Sequence, residues 1–523
     1  MHPVETVLAL LVPTTVLAVL ARKIAVPYPI VLVVGGSLLA FVPGLPEARL
    51  DPQLVFLLFL PPILYAAAYF TSWRDFRDSL PSITLLAVGL VAATTAAVAV
   101  AFHAVVPGVG WPAAFVLGAI VSPPDAVAAT AIAQRLRLPR QIVTILEGES
   151  LVNDATGLVL LKFATAAAVT GTFSAGGAAL EFLVLVAGGI AVGAAAGLVF
   201  ARLQRLLDDS VLAATASLLV SFVVYILAER LHVSGVLAVV TAGLLQGRAV
   251  PHLWTPKMRV EATAFWETVV FVLNALIFVL IGLQLPSIAA GLAGLPRGTV
   301  VDAVFATLAA AVGIRLLWMF PGAYLPRLLV PAYAARSPKP PWAWVLLVGW
   351  TGMRGIVSLA AALALPVATA AGAPFPGRDL ILIVTFAVIF GTLVVQGLTL
   401  PSFIRWLAIG TDVTAWREER HARRALAEAA LARIDALTEE HLLPAHQIHG
   451  VRQEQVERLR LLVRGDAGEP VPTAATERIR WLRRESLAAQ RRRLLELREE
   501  EEIGDDALHR LQHELDLEEM RAG

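Results

Sequence analysis

Cysteine is absent from the 523 residues. That excludes disulfides and thiolate metal sites and leaves the redox compartment open. Charge is scarce too: 16% of residues are charged against 57% hydrophobic, and the mean hydropathy is +0.73. Such a chain cannot tuck its apolar side chains into one soluble domain, so it reads as a polytopic membrane protein. Neither sign of charge is in excess. A formal net charge of +1 offers no basic face for nucleic acid, and any electrostatic message lies in where charges fall along the chain. A phosphate-cradling loop is lacking as well. Gly189, Gly193 and Gly197 recur every fourth residue within an apolar run with no strand before them, which marks a packing stripe of small residues rather than a nucleotide loop.

What is present is a series of apolar runs of spanning length, about 17 to 25 residues each. They fall near 4–21, 26–43, 52–70, 83–105, 112–134, 140–168, 174–204, 210–228, 233–246, 262–285, 299–320, 341–366 and 379–404, thirteen in all. The ninth is short and reads as a broken or tilted helix. The first ends in Arg22 and Lys23 without the positive leading region of a signal peptide, so it reads as a retained span. Loop cations set the orientation. With the N-terminus outside, the inner loops carry Arg22, Lys23, Arg74, Arg77, Arg135, Arg137, Arg140, Arg202, Arg205, Arg248, Lys257, Arg259, Arg327, Arg336 and Lys339. The outer loops carry only Arg49, Arg230, Arg297 and Arg378. The charged segment after Ile409 is therefore expected in the cytoplasm of a cell-membrane protein.

Polar residues interrupt this pattern at membrane depth. In "EGESLVND" (147–154) of the sixth run, Ser150 to Asp154 lie about 15 Å or more from the cytoplasmic end at 1.5 Å per residue. The fifth run carries "SPPDA" (122–126) at its middle, where two prolines remove backbone donors beside Asp125. The twelfth carries "TGMRG" (351–355) about halfway, where two glycines permit an unwound turn. Two interrupted helices in matching positions of two six-span halves indicate an inverted repeat with its site at the repeat interface. Ser150 and Asp154 stack at i and i+4, and Glu149 and Asn153 form a second pair one position round. Asp154, Ser150 and Asp125, with freed carbonyls, offer an oxygen cage suited to sodium, lithium or potassium rather than to a transition metal.

Each of these residues has a plainer structural reading. An intramembrane acid can simply neutralise a buried arginine, and Arg315 and Arg354 lie at suitable depth. Three acids, Asp125, Glu149 and Asp154, face two arginines, so pairing leaves one acid over; a charge in a membrane calls for a reason. Glu149 reads as the structural partner of Arg315, and Glu147 as a solvated or vestibule residue. Lys162 reads as snorkelling or paired, and His103 as a headgroup-level residue. Asn274 and Gln284 either bridge helices or face the pathway.

"SPPDAVAAT", "EGESLVND" and "GMRGIVSLA", with "FLPPILYAAAY" in the third run, resemble the sodium/proton exchanger branch of the monovalent cation/proton antiporter superfamily over residues 1 to 405. The resemblance implies that Asp154, following Asn153, carries the ion, that Asp125 and Ser150 lie near it, that Glu149 pairs with Arg315, and that Arg354 sits in the crossover. Some relatives have Thr where this chain has Pro124, so the Pro124 carbonyl would replace a hydroxyl ligand. Electrogenic relatives have a second Asp where this chain has Asn153, which implies one-for-one, electroneutral exchange.

The expectation is an all-α membrane protein of about thirteen spans with crossing broken helices in spans five and twelve. It comprises a transport domain (1–405) and a charged helical tail (406–523). The protein would be a homodimer in membrane lipid that exchanges sodium, or lithium or potassium, for protons, with no cofactor, ATP site or enzymatic activity. A passive cation channel would also want midplane acids but needs no broken-helix repeat. A receptor working through its tail would need a catalytic or nucleotide motif there, and none is found. The tail alternates apolar residues at helical spacing with dense i,i+4 charges. Two or three helices are expected there, separated near Gly465–Thr473, packing on one another or contributing to dimer stability or pH regulation.

Overall fold

The computed structural model describes residues 3–24, 26–42, 51–136, 138–172, 174–336, 339–410, 413–439, 449–456, 459–460, 473–500, 511–512 and 514–519. The chain divides into two compact units, Met1–Asp412 and Val413–Gly523.

The first unit is helical throughout its described core. Its elements are α1 (Pro3–Lys23), α2 (Tyr28–Leu39), α3 (Pro52–Phe70), α4 (Trp73–Val105), α5 (Trp111–Val121), α6 (Ala126–Arg135), α7 (Arg140–Thr170), α8 (Ala175–Leu203), α9 (Ser210–Arg230), α10 (Gly235–Leu253), α11 (Pro256–Leu283), α12 (Arg297–Leu329), α13 (Trp342–Trp350), α14 (Ile356–Leu363) and α15 (Arg378–Trp406). Among the described residues, nine helical stretches are long and apolar enough to cross a membrane by length and composition.

Three consecutive helices open on side-chain caps. Asp209 accepts from Leu212 N at 2.9 Å to open α9, Ser234 from Leu237 N at 3.3 Å to open α10, and Thr255 from Met258 N at 3.3 Å to open α11. Each oxygen satisfies one of the orphan donors of a first turn. Gly171, at φ +73°, ends α7 in the left-handed conformation that glycine adopts without strain. The short ninth run becomes an unbroken helix, α10, which continues through Pro251 to Leu253. Three spans carry π-turns, at Val55–Phe59, Leu85–Leu90 and Thr392–Gln396. The first directly precedes Pro61 and Pro62, which lack the N–H groups that would hold that turn in α-helical register.

The apolar interior forms two cores. One gathers residues of α2, α4–α7 and α11–α15, including Leu117, Ile120, Phe278 and Leu359. The other gathers α3, α9, α10 and the first half of α11 with Tyr65, Val239 and Trp266, and takes in Leu151 and Ala155 of α7. The glycine stripe of α8 serves the close packing of α8 on α10. A Cβ at Gly189 would lie 2.7 Å from Ser234 O, and one at Gly193 would strike Ala238 O. Lys162 pairs with Glu181 at 2.6 Å. The His103 ring bonds Val109 O at 2.9 Å and lies against Trp111. Gln284 caps the end of α11, donating to Leu280 O at 3.3 Å.

The second unit contains α16 (Val413–Glu439) and α17 (Thr473–Glu499). Ala427, Leu487 and Leu494 are buried in it, and ion pairs such as Arg424–Glu428 at 2.8 Å line its surface. The expected separation at Gly465–Thr473 lies outside the described residues except for Thr473, which opens α17.

Candidate ion-binding site

The site is built from two broken helices. α5 stops at Val121, ahead of Pro123 and Pro124, and the chain resumes helix only at Ala126. α13 stops at Trp350, and α14 begins after Gly355. The two non-helical segments are bonded to each other, because Asp125 N donates to Met353 O at 2.7 Å.

Interrupting a helix frees carbonyls at one end and amides at the other. Here single side chains answer both. Arg354, 1% exposed, donates from Nε to Val121 O at 2.9 Å and from Nη1 to Gly352 O, so one guanidinium faces the C-terminal ends of α5 and α13. Its own N–H donates at 3.1 Å to Thr392 Oγ1, in the π-turn of α15. On the amide side, Asp125 Oδ1 accepts from Val127 N at 2.8 Å and caps α6. Its carboxylate also packs against Gly355 at the start of α14, where any Cβ would collide with it. An anion is thus placed at two helix N-termini and a cation at two C-termini, each matching the local dipole.

α7 threads past this crossing. Asn153, fully buried, donates from Nδ2 to Pro124 O at 3.0 Å and fastens α7 to the break in the fifth span. One lone pair of that carbonyl is thereby used and the other remains. The Asn153 Oδ1 is buried with no hydrogen-bond partner. One turn earlier, Glu149 and Arg315, 1% and 2% exposed, form a two-pronged pair: Nη1 to Oε1 at 2.5 Å and Nη2 to Oε2 at 2.9 Å. Nη2 also reaches Val348 O at 3.2 Å.

Asp154 stands apart from these pairs. It is 8% exposed, and no Lys or Arg pairs with it among the described residues. With Ser150, Asp125 and Pro124 it lines a cavity of about 590 Å³ between the two cores. Glu147 lines the same cavity, as does Asn274. The lining therefore brings Asp154, Ser150, Asp125 and Pro124 together, whereas Glu149, Arg315, Arg354 and Asn153 lie outside it.

Sequence reasoning passed over several lining residues, namely Tyr28, Thr263, Trp266 and Glu267. Glu267 carried a usable signal, being a lone acid inside the tenth apolar run. Tyr28 did not, because its position depends on α2 packing along α11, where its ring meets Phe271 and Phe278 at centroid distances of 5.8 and 6.4 Å. The cavity thus presents four carboxylates, Asp125, Glu147, Asp154 and Glu267, and its described lining includes no Lys, Arg or His. Chemically this is a largely apolar chamber whose charged lining residues are all acids, so it favours cations and disfavours anions.

A helical membrane fold with an anionic chamber at crossed helix breaks describes a class of cation-handling transporter. Comparison with known proteins agrees: the transmembrane sodium/hydrogen exchanger family model matches residues 6–406, and the chain belongs to that family. A protein of Mycobacterium tuberculosis named as an uncharacterised Na+/H+ exchanger is 36% identical over 98% of this chain and 95% of its own length. A sodium, potassium, lithium and rubidium/H+ antiporter of Bacillus pumilus is 31% identical over 94% of this chain and 74% of its own. The fold resembles that of a sodium proton antiporter from Methanocaldococcus jannaschii, with TM-score 0.60 over 77% of this chain and 98% of that one at 18% identity.

Proposed function

We propose that the protein exchanges sodium for protons, one for one, by alternating access, with Asp154 as the site that both ions share. The observation that carries this reading is the solitary position of Asp154, a buried carboxylate without a basic partner facing an anionic chamber. A carboxylate so placed must be neutralised by a proton or a dehydrated cation, and competition between the two is exchange. Ser150 and the second lone pair of Pro124 O supply neutral ligands near it. Asn153 lies outside the chamber lining and supports the site by fixing the Pro124 carbonyl through its Nδ2.

The location of the chamber between two cores supports a division of labour. Spans five, six, twelve and thirteen, tied by the Asp125–Met353, Asn153–Pro124 and Arg354–Thr392 bonds, would move as a body against the remaining scaffold and open the chamber to each side in turn. We place thirteen crossings in the membrane as an inverted repeat, the N-terminus outside and residues 406–523 as a cytoplasmic tail, on the distribution of loop cations. The potassium/proton reading shares this mechanism, and the broad cation range in the name of the Bacillus pumilus relative favours keeping it as the second reading.

Proteoliposomes loaded with a pH dye test the proposal. Addition of sodium should collapse an imposed pH gradient, and a gradient indifferent to sodium, lithium and potassium refutes it. Stoichiometry is read separately on a solid-supported membrane. Asn153 cannot carry a proton, Glu149 is locked to Arg315, and Asp125 is held by two helix ends, so no sustained transport current is expected. A current that reverses with voltage would mean that a second proton moves.

A further inference from the structure

We infer that the cationic end of α12 holds an anionic phospholipid, gripped by its phosphate between Arg327 and Lys339. The last two turns of α12 and the chain that returns toward α13 enclose a shallow depression of about 660 Å³. Its walls are apolar and aromatic, with Phe320, Tyr324, Leu325 and Leu328 the largest, and its charged lining residues are Arg327 and Lys339. No acid lines it.

The arrangement orders the cations at the rim. The Lys339 ammonium stands 4.9 Å over the Tyr324 ring, and the Tyr324 hydroxyl donates to Pro340 O at 3.3 Å. The ring therefore fixes the position of the lysine while leaving its donors available. Arg327, also in the lining, is half-buried and donates from Nη1 to Ala323 O. Leu325 and Leu328 are 39% and 79% exposed on a membrane-spanning helix, where the surrounding medium is acyl chain. A ligand that meets two cations and exposed apolar side chains beside them at a helix end is an anion with hydrocarbon attached, and in a membrane the anion of that kind is a phospholipid. A free phosphate would use the rim and waste the walls.

The depression is also connected to the ion-binding helices. Arg315, Met319, Ala323 and Arg327 fall at steps of four along α12 and share one face. Met319, Arg327 and Val348 line one small crevice, and the Val348 carbonyl accepts from Arg315, the partner of Glu149. A bound lipid would therefore brace the helix that holds the Glu149–Arg315 pair. Assignment of the site to the inner leaflet rests on the orientation proposed above; its existence does not.

The test is lipid binding by native mass spectrometry, with the delipidated full-length protein titrated by phosphatidylglycerol or phosphatidylcholine and read independently of transport. Phosphatidylglycerol should bind preferentially. Lys339→Gln should weaken it about fivefold and Lys339→Gln with Arg327→Gln about twenty-five-fold, as expected for removing one and two interfacial cations, with phosphatidylcholine binding unchanged. Lys339→Arg should restore the preference. The proposal is overturned if the double variant, melting at the wild-type temperature, keeps its preference, or if inorganic phosphate displaces the lipid at equal concentration. Should the double variant not fold, Lys339→Gln alone decides, because its side chain is exposed and its contact among the described residues is with the Tyr324 ring.

Discussion

Deleting one member of the Glu149–Arg315 pair should be far more damaging than deleting both. In Arg315→Met, Glu149 keeps its charge at 1% exposure with its two-pronged ion pair gone, and a buried charge left without its pair costs about 3 to 5 kcal/mol. Glu149→Met strands the guanidinium to a similar extent. In the double variant both charges are gone and two methionines of adaptable shape fill the space, a replacement that is often neutral or stabilising. One debit remains: Arg315 also donates to Val348 O, worth about 1 kcal/mol. That carbonyl is not orphaned, because Thr351 Oγ1 donates to it at 2.8 Å. The double variant should therefore lie within about 2 kcal/mol of wild type, with a coupling energy of several kcal/mol. Reversible unfolding in mixed micelles gives the four corners of the cycle, and proton/sodium exchange in proteoliposomes gives function. Neither residue lines the chamber, so the double variant should still exchange. Additive losses approaching the sum of the singles would show that the two charges are not paired in the folded protein. A folded double variant without exchange would make Glu149 a participant in transport.

Other perturbations separate roles in the same way. Asp154→Asn should melt within a few degrees of wild type and lose exchange entirely; sodium-dependent pH change at the wild-type rate would move the ion site elsewhere. Gly355→Ala drives a methyl into the Asp125 carboxylate and should cut exchange at least tenfold, checked by initial rates in proteoliposomes, while Gly298→Ala, in open space, should change nothing. Gly193→Ala forces α8 off the backbone of α10 at Ala238, and overpacking of that kind costs about 1 to 3 kcal/mol; melting temperature reads it. Glu267→Gln should raise the half-saturating sodium concentration at low ionic strength and lose this effect in high salt, since an exposed vestibule charge acts through a field that salt screens.

The helical class, the two breaks and most of the chamber's ligands were legible because each carries a local signal. Pro123 and Pro124 remove two backbone donors in succession and disfavour a continuous helix, and the i, i+4 spacing of Ser150 and Asp154 aligns them on any helix. Glu149 and Arg315 were legible as a pair from the balance of buried acids and arginines and from the family resemblance, not from any local signal, since 166 residues separate them and their meeting depends on how α7 and α12 pack. The π-turn at Thr392–Gln396 gave no warning: nothing in "TLVVQ" differs from ordinary apolar helix. Its purpose is visible only where Thr392 meets the Arg354 amide. Tyr28 was illegible for the same reason, because an aromatic at the start of an apolar helix is ordinary until a neighbouring helix places it beside a cavity.

Why the site lies at crossed helix breaks follows from the charges there. A carboxylate in a membrane is costly unless a counter-charge stands near, and a protein that fixed every acid to an arginine would have none left to exchange. Breaking two helices supplies partial charges that are not side chains. The positive ends of α6 and α14 hold Asp125, and the negative ends of α5 and α13 hold Arg354, so each is satisfied without the other. Arg315 takes Glu149. Among the described residues these buried charges around the crossing each have a fixed partner and Asp154 has none, which on the proposed mechanism is the condition for its partner to be a mobile ion. Supplying a basic residue within reach of Asp154 would stabilise the fold and end exchange, and the absence of such a residue from the described chamber lining is what makes the site useful.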